Sequence, residues 1–146
     1  VKVLVVGYGN PLRGDDGAGP WVADRLAALG LPGVETRTYH QLPLELAADL
    51  DGYDAAVFVD ASVEGDDVTL LSEPELPSAR SLSHHTAAGE LAALSRRLGR
   101  GPGTVLLCTV RGEDFTYRPS LSPAALARAE EALRRIVERV GRNGHA

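Results

Sequence analysis

Cys108 is the only cysteine in this 146-residue sequence. A lone cysteine excludes an internal disulfide and any metal cage built from cysteine pairs, and it fits a reducing compartment. Lys2 is the only lysine; arginine carries the remaining positive charge, which reflects coding bias rather than chemistry. The formal net charge is −5 with no Lys/Arg stripe to offset it, so a nucleic-acid partner is not expected. Long apolar runs are also missing. The first, VKVLVV, meets Gly7 after six residues, too short for a membrane span or a signal peptide. The expectation is a soluble, cytoplasmic chain with no membrane partner.

The sequence is long enough to bury a core as one domain over residues 1–146. VKVLVV (1–6), VETRTY (34–39), AAVFVD (55–60), DDVTLLSE (66–73) and GTVLLCTV (103–110) read as strands. Helical patterns fall between them: 19–30 closed by Gly30, a short one over 42–50, 86–99 closed by Gly99, and 122–141. Ser122 and Pro123 supply an N-cap and a first-turn proline for the last helix, and the tail RNGHA reads as frayed. Trp21 and the Leu/Ala positions of the last helix read as core, and Cys108 as a buried small hydrophobe. Alternating strands and helices predict an α/β fold: a single doubly wound, mostly parallel sheet with helices on both faces, a three-layer sandwich.

The first strand runs into GYGNPLRGDDG (7–17). A dinucleotide fingerprint needs a third glycine where Leu12 stands, and an acid closing the second strand where the sequence has TYHQ. From Gly9 the spacing is that of a phosphate loop, yet Asp15 and Asp16 replace the Lys and Ser/Thr. Like charges about 4 Å apart cost ~4 kcal/mol at an effective dielectric near 20. A polyphosphate is therefore not expected there without a metal between, and two acids at this mouth point to a cation or a cationic partner.

Ligands of open α/β sheets bind beyond the carboxyl ends of the strands. Asn10, Asp15 and Asp16 follow the first strand, His40 and Gln41 the second, and Asp60 the third; His84 and His85 open a helix. Carboxylates with an imidazole suit a divalent first-row metal and leave positions open for water or substrate. Each residue also has a purely structural reading: Asp15 or Asp16 as helix cap, with Asp15 the better candidate, Asp60 as a turn residue, the histidines as exposed loop groups.

GYGNPLRGDDGAG (7–19), VFVDAS (57–62) and SLSHHTAAGELAAL (81–94) resemble the three sequence blocks of the hydrogenase maturation endopeptidases. Gly7, Gly9, Asn10, Leu12, Asp15, Asp16 and Gly19 match the family's opening block, Asp60 the second, and Ser83, His84, Glu90 and Leu91 the third. The resemblance covers nearly the whole chain. It implies a hydrolase that removes the C-terminal extension of a nickel–iron hydrogenase large-subunit precursor after nickel insertion. Asp16, Asp60 and His84 are then the catalytic and metal-binding residues; His85 stands where the family often has Gln. The metal implied is a divalent cation, nickel carried by the substrate, with zinc or cadmium as substitutes. The enzyme type is metal-dependent or aspartic. Many members carry a D-G-G-T loop after the second strand where this chain has HQLPLELA (40–47), which makes His40, Gln41 and Glu45 candidates for substrate contact. A monomer is expected. The competing reading is a metal carrier or metal-sensing module of the same fold without peptidase activity.

Overall fold

The computed structural model describes residues 1–72 and 86–144. Its elements are β1 (Val3–Tyr8), α1 (Ala18–Leu29), β2 (Val34–Tyr39), α2 (Leu46–Asp49), β3 (Ala55–Ser62), β4 (Val68–Ser72), α3 (Thr86–Leu98), β5 (Thr104–Arg111) and α4 (Pro123–Gly144). The strands form one sheet in the order β2-β1-β3-β5-β4. The first four run parallel; β4 pairs antiparallel to β5 at the edge. A link of a few residues between β3 and β4 is too short for a crossover, so β4 must return in the opposite direction. The doubly wound α/β reading therefore matches the observed sheet.

Both faces of the sheet are buried, as a parallel sheet requires. Strand alternation sorts the side chains: Val3, Val5, Val57 and Val59 pack with Val22, Leu26, Ala132 and Ile136 of α1 and α4. Leu4, Val6, Tyr8 and Phe58 face the opposite way, onto Leu46, Leu50, Leu91 and Ala92 around α2 and α3. Cys108 is fully buried in β5, as expected.

Several boundaries differ from the sequence reading. β1 starts at Val3 and continues through Gly7 to Tyr8, because these residues still pair with Thr38 and Tyr39 of β2. β3 continues past Asp60 to Ser62 through its pairing with β5. The 42–50 helix shrinks to one turn after Pro43 and closes as a 3₁₀ turn over Leu50–Gly52. α4 does not fray at 142 but continues to Gly144, and residues 145–146 lie outside the described residues. Gly30 closes α1 in the left-handed conformation at φ 59°. Trp21 is half-buried rather than core.

Candidate functional site

β1 has β2 on one side and β3 on the other, so the strand order reverses between β1 and β3. The crevice beyond their carboxyl ends is the switch point where such sheets bind ligands. The loop after β1 is shaped by glycine here. Gly9 has φ 143°, and a Cβ on it would lie 2.0 Å from the Asp16 carbonyl oxygen. A Cβ on Gly19 would lie 2.3 Å from the Val59 carbonyl oxygen, so α1 starts directly against β3. The loop is thus folded back upon itself, and Asp16 comes over the end of the sheet.

Asp15 and Asp16 separate in role. Asp15 is fully buried. Its carboxylate accepts from the Glu113 N–H (2.7 Å), the Asp114 N–H (2.9 Å), the Ser122 N–H (2.7 Å) and the Ser122 hydroxyl (2.7 Å). Burial works against the charge, but these bonds hold the carboxyl below its usual range. Asp15 is therefore structural, though it does not cap α1, which has no side-chain cap. It fastens the loop to the segment before α4. Ser122 caps α4 as expected, accepting from the Ala125 N–H at 3.2 Å.

Asp16 is only half-buried. One carboxylate oxygen accepts from the Asn10 N–H at 2.7 Å; the other has no hydrogen-bond partner among the described residues. Asp60 sits on β3 across from it, close enough that the charge on Asp16 raises its pKa. Burial is the larger cause, and together they push Asp60 up to about 7, against stabilising bonds from the Tyr8 hydroxyl and the Ala61 N–H. The Tyr8 hydroxyl is pushed far up by burial and by the Asp60 charge, so it donates. Tyr8 escapes the sequence reading because the strand was expected to end at Val6. The signal that finds it is register: Gly7 pairs with Val59, which sets Tyr8 beside Asp60.

His40, Gln41 and Glu45 are all exposed. His40 does not join the acids. It lines a neighbouring groove of about 350 Å³ on the α1 side, with Gly9, Gly17, Trp21, Asp24, Tyr39 and Leu121. His84 and His85 lie outside the described residues. The structure does place α3, which follows them directly. Its far end is fixed beside the 3₁₀ turn before β3, where Asp51 accepts from the Arg100 and Gly101 N–H groups (2.6 and 2.7 Å). The thirteen-residue helix is about 20 Å long, so Thr86 lies toward the carboxyl edge of the sheet, on the Asp60 face. Among the described residues no three His, Cys, Asp or Glu side chains form a metal-sized cluster. Asp16 and Asp60 bring two carboxylates together, donors of the kind a hard or borderline divalent cation prefers but too few by themselves to hold one.

Neither a protein-family model nor a curated protein sequence matches the chain. Solved structures do. The hydrogenase maturating endopeptidase HybD from E. coli is 23% identical with a TM-score of 0.80, over 99% of this chain and 94% of that one. A hydrogenase 2 maturation peptidase from a Thaumarchaeota archaeon is 26% identical with a TM-score of 0.70, over 97% and 99%. The NiFe hydrogenase maturation protease HycI from Thermococcus kodakarensis KOD1 is 22% identical with a TM-score of 0.69, over 94% and 90%. The structural neighbours are thus hydrogenase maturation endopeptidases, and they share the fold across nearly the whole chain.

Proposed function

We propose that this chain is an endopeptidase that removes the C-terminal extension from a nickel–iron hydrogenase large-subunit precursor. The observation that carries the reading is the Asp16–Asp60 pair at the switch point of a fold shared with maturation endopeptidases. The cell compartment is the cytoplasm, and the working form is a monomer docking transiently on its precursor. Among the described residues no helix is long and apolar enough to cross a membrane.

Water is the attacking group. Cys108 is buried and its thiol is pushed up to about 12 by burial, so it stays protonated and inert. The Ser122 hydroxyl is committed to Asp15 and to the α4 cap. With no cation bound, burial and the Asp16 charge raise Asp60 to about 7; a bound divalent cation would favour its charged form, so its part in this reading is to hold the metal. Tyr8 holds one side of that carboxyl, and the Asn10 N–H orients Asp16, whose second oxygen has no hydrogen-bond partner among the described residues.

Asp16, Asp60 and His84 form the ligand set in this proposal, with nickel arriving as part of the precursor. A divalent cation held there polarises the scissile carbonyl. Two carboxylates among the described residues suit weak, reversible capture better than a permanent cage, which fits a metal that belongs to the substrate. On this reading the enzyme is metal-dependent rather than aspartic in type.

The test incubates the protein with nickel-loaded and nickel-free precursor and reads the precursor's mass. Loss of the C-terminal extension only when nickel is present, and none with Asp16→Ala or His84→Ala, is expected. Unchanged precursor mass with metal bound to the protein would support the metal-carrier reading instead. Full-rate cleavage of nickel-free precursor would remove the metal from the mechanism.

A further inference from the structure

The groove beside the acids has no role in the chemistry above. Its walls are the loop that carries Asp16 (Pro11, Gly17), the first turns of α1 (Pro20, Trp21, Asp24) and the approach to α4 (Pro119, Leu121). Three prolines give it a surface poor in N–H donors. Two exposed apolar side chains lie close by in sequence: Leu12, next to Pro11, is 57% exposed, and Tyr117, two residues before Pro119, is 82% exposed. Their segments are held together by backbone bonds, Arg118 N–H to the Leu12 carbonyl (3.1 Å) and Gly14 N–H to the Arg118 carbonyl (2.9 Å). Exposed apolar side chains near a preformed groove mark a binding surface.

Charge selects the occupant. Asp24 is the only acidic side chain lining the groove, it is exposed, and among the described residues its carboxylate has no ion pair. Arg25, its neighbour in sequence, stacks over the Trp21 ring at 4.8 Å. An exposed, unpaired anion in a groove of mixed lining, with Thr38, His40 and Ser120 beside Trp21 and Leu121, is complementary to a basic side chain on an extended peptide. The groove also shares a wall with the catalytic loop, since Gly9 and Gly17 line it and Asp16 lies between them in sequence.

We propose that this groove receives a segment of the precursor near its cleavage site, with a Lys or Arg side chain of that segment paired to Asp24. The assignment rests on the protease reading above. Asp24 selects substrate and does not touch the reacting atoms.

Trp21 is the single tryptophan, so its emission reports occupancy without a label. The experiment titrates Asp16→Ala protein with a tryptophan-free synthetic peptide spanning the precursor's cleavage region. It also measures steady-state cleavage of the full nickel-loaded precursor by wild type, Asp24→Asn and Asp24→Lys. Expected are a shift in Trp21 emission on peptide addition and a KM raised about threefold by Asp24→Asn and about tenfold by Asp24→Lys, with kcat within about twofold. Salt should shrink the difference, and a precursor with its basic residue changed to Glu should restore binding to Asp24→Lys. If wild type cleaves the precursor while Trp21 emission stays still, or Asp24→Lys keeps the wild-type KM, the groove assignment is overturned and the protease reading stands. If wild type does not cleave at all, both fall.

Discussion

Asp15 accepts four hydrogen bonds with no solvent around it. Asn keeps the shape but turns one acceptor into a donor that must face an N–H or the Ser122 hydroxyl. Asp15→Asn is expected to cost about 3 kcal/mol of stability, read by urea unfolding, while any folded fraction keeps its kcat. Asp16→Asn, half-exposed and tied by one bond, should do the reverse: near wild-type stability and no cleavage. Two adjacent acids were legible in the sequence as important. Asp15 was the better candidate for a structural role, but as a helix cap; its real partners, about a hundred positions downstream, were not legible. Tyr8→Phe leaves the Asp60 carboxyl without its hydroxyl donor. The expected result is a loss of roughly tenfold in divalent-cation affinity by calorimetry, with the fold retained.

At the level of elements, the glycines that made the opening block recognisable have separate mechanical causes. Gly9 turns the chain over Asp16, and Gly19 lets α1 touch β3. Gly19→Ala is expected to cost about 3 kcal/mol, since the contact is with backbone that cannot swing aside; thermal unfolding measures it. In α3, the Ser95 hydroxyl is buried without a hydrogen-bond partner among the described residues. Ser95→Ala should stabilise by about 1 kcal/mol, through better helix propensity and one fewer stranded polar group. The strands and three of the helices were legible from period and capping signals. β1 and β3 ran longer than composition suggested because pairing with neighbours, invisible in a local window, carries them past Gly7 and Asp60. His40 was legible as a residue beyond β2 but not as a groove residue, because the sequence shows the edge of the sheet and not which side of a loop a side chain takes.

For the whole molecule, two carboxyls set opposite pH trends. Asp60 titrates near 7 when folded and near 3.8 when unfolded, so the folded state holds its proton more tightly. That contribution is fully present below about pH 3.8 and is lost as pH rises through about 7, on the order of 2–4 kcal/mol. Asp15 is depressed, so its contribution is present above its unfolded value and lost as pH falls through the folded one. Thermal melts should therefore show wild type losing stability from pH 5 to pH 8. Asp60→Asn should lose much less over that interval and be the more stable protein at pH 8. An equal decline in both proteins would mean that Asp60 is not raised.

The fastening of Asp15 to residues 113–122 has a temporal consequence. During synthesis the loop bearing Asp16 is made about a hundred residues before the backbone groups that fasten it. A nascent or truncated chain lacking them cannot hold the acid in place. The loop thus takes its shape only once residues 113–122 have been translated and docked.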